Sequence, residues 1–269
     1  MRRLGIFLFS LFCLASCSGD IERNITTDLQ VEGNEIFRIS LSLEESAYFA
    51  LLTLDEYKRL DPTRLPGCPD IFVNDQESKV TLFFSRKSDC PNQLVSRKGR
   101  INILFQGVSA TENRTILSYE DYEVRETRLE GSRQFSNLRN SSFPNRITET
   151  FQDLFILDKN NSSSRLNGTF NYQLTMVNRA VTGYLVQGSL EGRNITGRRI
   201  VMEQSTPKRY EVSCLESGKV LALQGVERWQ IFRNATASVT HTLVYEPESE
   251  CTSKASITLQ DGRILAFSL

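Results

Sequence analysis

The chain has 269 residues, 39% hydrophobic and 24% charged, and its 32 lysines and arginines balance 32 acids. A net charge of zero with no basic stripe argues against a nucleic-acid binder. The length is enough for a substantial core in one domain or two, and composition alone forces no boundary between them.

Met1-Arg2-Arg3 precedes the apolar run Leu4–Leu14 and then Ala15-Ser16-Cys17. Basic residues, a greasy core and small residues are the layout of a bacterial secretory signal. The core is too short to cross ~30 Å of hydrocarbon as a helix. Leu14-Ala15-Ser16-Cys17 resembles a lipobox, which implies removal of residues 1–16 and lipidation of Cys17. Acyl burial contributes ~0.8 kcal/mol per CH₂, and stable anchoring takes more than one chain. Ser18 stands where lipoproteins held in the inner membrane usually carry Asp, so the expected address is the outer membrane, at its periplasmic face or the cell surface. No later segment reaches the roughly 18 apolar residues of a spanning helix, so lipid would be the membrane attachment.

Residues 17–35 are polar and aperiodic and read as a lipidated tether, leaving 36–269 as one β-rich domain. Within it, Tyr48, Leu51, Leu52, Leu54 and Tyr57 fall near helical spacing, and Ser42 or Ser46 could cap the start. One short amphipathic helix is expected over Glu44–Leu60, closed by Pro62 and Pro66 and packed on a sheet. From Cys68 onward the apolar period is two, as in half-buried antiparallel strands. Ile101, Ile103 and Phe105 show it, as do Phe170, Tyr172, Leu174 and Met176, and Ala255, Ile257 and Leu259. About a dozen strands are expected, with Ile116–Arg128 and Ile195–Thr206 unusually long. Asp261-Gly262 marks a tight hairpin. Thr148–Asp158 reads as one strand in the weakest patch, and two sub-parts could meet near 140–165. The fold class is therefore all-β: a large antiparallel meander sheet, curved or partly closed, with one short N-terminal helix.

Six cysteines are present. Cys13 leaves with the signal and Cys17 takes the lipid, so Cys68, Cys90, Cys214 and Cys251 remain. An even remainder in an oxidising compartment suggests two disulfides, with three pairings possible. Strand geometry favours Cys68–Cys90, at the two ends of a hairpin formed by Ile71–Val73 and Val80–Phe84. It favours Cys214–Cys251 if Cys214 ends a strand and Lys219–Arg233 is one long strand with a bulge near Gly225.

Chemical motifs are scarce. His241 is the single histidine, in phase with Val239 and Leu243, and reads as a strand residue in a partly buried network rather than a catalytic base. There is no Gly-x-Ser-x-Gly, His-Glu-x-x-His or phosphate-cradling loop, and without Cys-x-x-Cys a Cys/His metal site is not expected. No cofactor is implied. Glu120, Asp121, Glu123 and Glu126 could supply the carboxylate pair of a glycan hydrolase. Arg114, Arg125 and Arg128 lie among them, however, as on a solvated strand face. Arg198-Arg199 and Lys208-Arg209 read as solvated faces, and Trp229 as a core aromatic with its N–H bonded at a sheet edge.

Several features recur together. They are the lipobox, the early helix, Cys68-Pro69-Asp70, Cys90 followed by Lys98-Gly99-Arg100, Tyr119-Glu120-Asp121-Tyr122-Glu123-Val124, Glu130-Gly131, Cys214, and the ending Cys251–Gly262. In this order and spacing they resemble an uncharacterised family of Bacteroidota lipoproteins, over roughly the whole chain. The departure is Glu246–Glu250, where such proteins usually have a Gly/Asp-rich turn. The resemblance implies β structure and the cell envelope, with no substrate or catalytic residues. The expected function is a lipid-anchored, non-catalytic scaffold or binding module, with the membrane and an envelope protein or glycan as partners. The rivals are a carrier of small apolar or glycan ligands on a concave sheet, and an envelope glycan hydrolase.

Overall fold

The computed structural model describes residues 20–269 apart from 86–89, 91–94, 139–144, 179 and 268–269, with backbone alone for 20–28. The signal segment, Cys13 and Cys17 lie outside the described residues.

The described residues begin with one long helix, α1 (Asp20–Leu51). Its 32 residues rise about 48 Å at ~1.5 Å each. The N-terminal helix therefore starts far earlier than Glu44 and takes in most of the expected tether. The physical reason is its burial. Ile36, Phe37, Ile39, Leu41, Leu43, Ala47, Tyr48, Phe49 and Ala50 are buried on every side of the helix, together with Glu32, Glu35, Ser40, Ser42, Glu44, Glu45 and Ser46. A helix surrounded by protein has no single apolar stripe, and stripe-based reading passes over it. Thr53 then starts a one-turn helix, α2 (Leu54–Tyr57), through a capping box: Glu56 N–H donates to Thr53 Oγ1 at 3.2 Å and Thr53 N–H to Glu56 Oε2 at 2.6 Å.

Fourteen described strands form one antiparallel sheet. In chain order they are β1 (Asp70–Asn74), β2 (Lys79–Phe84), β3 (Arg97–Gly107), β4 (Glu112–Val124), β5 (Thr127–Glu130), β6 (Ser132–Leu138) and β7 (Arg146–Leu157). There follow β8 (Ser163–Val177), β9 (Ala180–Arg193), β10 (Arg199–Glu211), β11 (Gln224–Phe232), β12 (Ser238–Pro247), β13 (Ser253–Thr258) and β14 (Ile264–Phe267). Each pairs with its sequence neighbours, except that β5 and β6 share one lane between β4 and β7, broken at Gly131. β1 and β14 are the two edges, so the sheet is an open meander and not a closed barrel.

The sheet wraps its apolar face around α1. In β8, Leu166, Phe170, Tyr172 and Leu174 are buried while Arg165, Asn167, Thr169, Gln173 and Thr175 are exposed. Apolar-in and polar-out is the reverse of the pattern on a membrane-spanning barrel. Helix and sheet approach closely at Gly33, where a Cβ would lie 2.7 Å from Leu265. Phe37 stacks on Phe267 with ring centres 4.1 Å apart, and Phe49 meets Phe84 at 5.7 Å. Among the described residues no helix is long and apolar enough to cross a membrane.

Several strand limits differ from the sequence expectation. Ile116–Arg128 is not one strand. Arg125 and Glu126 take φ of 47° and 63°, the pair of positive angles that a type I′ hairpin turn needs, and join β4 to β5. Ile195–Thr206 shifts to β10, because Asn194 Oδ1 accepts from the backbone N–H of Thr196 and Arg198 and fixes a turn there. Cys214 does not end a strand. β10 stops at Glu211, and a short helix, α3 (Val212–Glu216), carries the cysteine. Lys219–Arg233 is strand only from Gln224. The hairpin β1–β2 and the single strand β7 form as expected, and the sheet is continuous through β7 and β8.

Candidate functional site

The chemistry-bearing side chains gather between α1 and the inner face of the sheet. Four glutamates of the helix enter this seam, and each meets a different set of donors from the strands and the turns that join them. Glu32 accepts from Arg198 at 2.9 Å and from both terminal nitrogens of Arg233, and lies 3.3 Å from His241 Nε2. Burial opposes its ionisation, but the His241 and Arg233 hydrogen bonds outweigh burial and hold its carboxyl below the usual range. Glu35 accepts from Ser164 Oγ at 2.6 Å and from Ile195 N–H at 2.9 Å. Burial there is the larger effect, and the carboxyl stands above the usual range.

Glu45 takes the Arg97 Nε–H and, at 2.5 Å, the Tyr122 hydroxyl. On β6, Arg133 donates to Glu149 Oε1 at 2.6 Å, to Leu43 O at 2.8 Å and to Ser46 Oγ at 2.9 Å. Tyr172 donates to the other Glu149 oxygen at 2.5 Å. At the centre, Lys208 bridges Glu44 of the helix and Glu227 of β11, and donates to Ser40 Oγ at 2.9 Å. Trp229 Nε1 donates to Glu227 at 2.8 Å. Burial disfavours the ammonium, yet Glu227 and Glu44 together hold the Lys208 pKa above its ordinary value. For Glu44, burial outweighs Lys208 and the carboxyl is raised.

This arrangement holds charge rather than offering it. Glu149 is tied to Arg133, and Glu44 and Glu227 share one ammonium. The strand expected to supply a glycan hydrolase's carboxylate pair turns its acids outward. Exposed Glu120 pairs with Arg100 at 2.5 Å, Glu123 with Lys98 at 2.9 Å, and Glu126 sits in the β4–β5 turn. The inner face of the sheet packs on α1.

The structure forms both favoured disulfides, Cys68–Cys90 and Cys214–Cys251. His241 lies wholly buried on β12, in the network expected of it. Trp229 is a core aromatic, but on the interior strand β11 rather than at a sheet edge. Arg198 and Lys208 correct the solvated-face expectation: Arg198 turns inward to Glu32, and Lys208 is 3% exposed. The missed signal is parity. Lys208 shares the inward phase of Met202 and Tyr210, Arg133 that of Phe135, and Glu149 that of Ile147 and Phe151. Among the described residues no three His, Cys, Asp or Glu side chains form a metal-holding group.

Fold and seam together define an open antiparallel meander closed over a central helix by buried ion pairs. No family model matches the chain, and no curated protein or solved structure is significantly similar to it.

Proposed function

We propose that this chain is a lipid-anchored protein of the cell envelope, at the outer membrane, acting as a non-catalytic β-sheet scaffold or binding module. The observation that carries the reading is the commitment of the interior to α1. The buried acids of the seam are matched to cations or donors that hold the helix, which leaves the polar outer rows of the sheet as the surface for a partner. Anchoring rests on Met1–Cys17 and its resemblance to a lipobox, and the two disulfides are compatible with an oxidising compartment. The membrane is then one partner through the Cys17 lipid, and an envelope protein or glycan is the other. The reading calls for no cofactor and no nucleic acid.

Acyl labelling tests the anchor: label on the wild type and none on Cys17→Ala is expected, and equal labelling would refute it. A photo-crosslinking residue placed at Asn171 or Gln173 in cells tests the outer face. A discrete adduct to an envelope component is expected. A small apolar molecule extracted in stoichiometric amount from the purified protein would point instead to a carrier.

A further inference from the structure

We propose that the cavity beside Glu44 is a built site for a single water molecule, which bridges α1 to β9 and β10. The cavity measures about 20 Å³ and is lined by Glu44, Tyr184, Gln204 and Tyr210 among others. About 10–15 Å³ of such space suffices for one water. Its walls supply the partners. Glu44 Oε1 is taken by Lys208 and Ser40, while Glu44 Oε2 has no protein partner. Gln204 Oε1 and the hydroxyls of Tyr184 and Tyr210 also lack one, although all four residues are at least nine-tenths buried. The Tyr210 hydroxyl lies against the Glu44 carboxylate, and the two interact electrostatically. Buried polar atoms are strongly disfavoured when unpaired, so four around one small cavity point to a shared guest.

The partner types select the guest. Two oxygens, on Glu44 and Gln204, only accept while Glu44 is ionised, and the two phenols can donate. Water donates twice and accepts twice, which matches this set bond for bond. A monovalent cation accepts no hydrogen bond from either phenol. It would also face the Lys208 ammonium held on the other oxygen of the same carboxylate. The sheet explains why space is left here. β10 loses register with β11 between Gln204 and Arg209, and with β9 between Glu203 and Lys208. A bulge of this kind re-aims side chains and opens local packing.

The test uses the full chain. A high-resolution crystal structure is expected to place one solvent peak within hydrogen-bond distance of Glu44, Gln204, Tyr184 and Tyr210. In solution, water magnetic relaxation dispersion is expected to lose one long-lived water in the Tyr184→Phe/Tyr210→Phe variant. Direct bonding of the tyrosines to Glu44 and Gln204 with no peak between them would overturn the proposal. So would an anomalous peak at the site in crystals grown with thallium(I) as the monovalent ion. If the variant does not fold, the wild-type crystal result decides alone.

Discussion

The Arg133 guanidinium, rooted on β6, donates at 2.8 Å to the main-chain carbonyl of Leu43 in the central helix. A helix carbonyl this deep normally serves its own ladder, so Arg133 adds a charge-assisted bond across the seam. The same side chain balances buried Glu149. Arg133→Leu is expected to destabilise by about 3–5 kcal/mol, because Glu149 would be left as an uncompensated buried charge. Arg133→Leu/Glu149→Leu is expected to recover much of that loss, since an apolar pair can replace a buried ion pair. Urea unfolding of both variants checks this. A double variant as unstable as the single one would mean that the helix carbonyl, not the charge balance, dominates.

Lys208 makes a second, pH-dependent prediction. Lys208→Met removes the ammonium shared by Glu44 and Glu227, and a neutral-pH loss on the order of 3–5 kcal/mol is expected. Glu44 is raised by burial and lowered by Lys208, so the variant raises it further. A carboxyl raised in the folded state contributes stability below its unfolded value, and that contribution is lost as pH rises through the folded value. The deficit of Lys208→Met should therefore shrink as pH falls toward the ordinary carboxylate value of 4.5. Unfolding curves across that window measure it, and a deficit independent of pH would count against the argument.

The sheet was legible because alternation at period two survives in β3, β8 and β13, where packing agrees with local pattern. Both disulfides were legible for a partly different reason. The hairpin β1–β2 sets the first, whereas Cys214 meets Cys251 from α3 and not from the end of a long strand. The helix was legible only over its last residues. Glu32, Glu35, Ser40, Glu44 and Glu45 look like a solvated face, yet they meet residues distant in sequence, from Arg97, 52 positions from Glu45, to Lys208, 168 positions from Ser40. Local periodicity carries no information about such partners. The inward parity of Arg133, Glu149 and Lys208 is present in the strands, where it sets charged side chains in phase with buried apolar ones.

The disulfides close segments separated by 22 and 37 residues. In the chain-entropy model such loops contribute about 3–4 kcal/mol each by restricting the unfolded chain. Cys68→Ala/Cys90→Ala and Cys214→Ala/Cys251→Ala are each expected to lower stability by that order. Reductant should destabilise the wild type and leave a variant lacking both bridges unchanged. A wild type insensitive to reductant under unfolding conditions would contradict both bridges.

Glu35 carries the clearest test of the seam's electrostatics. Its carboxyl is 3% exposed and accepts from Ser164 and from the Ile195 amide, but burial still raises it above the ordinary value of 4.5. In the window above that value the folded chain binds more protons than the unfolded one, so this group's contribution falls as pH rises and levels off beyond its folded value. Glu35→Gln keeps an acceptor oxygen for Ser164 and Ile195 and removes the titration. The stability of Glu35→Gln relative to wild type should therefore increase as pH rises above the ordinary value of 4.5 and then plateau. Urea midpoints for both proteins at matched ionic strength give the comparison. Parallel pH profiles would show that Glu35 titrates as it does in the unfolded chain, and would remove burial as the force acting on it.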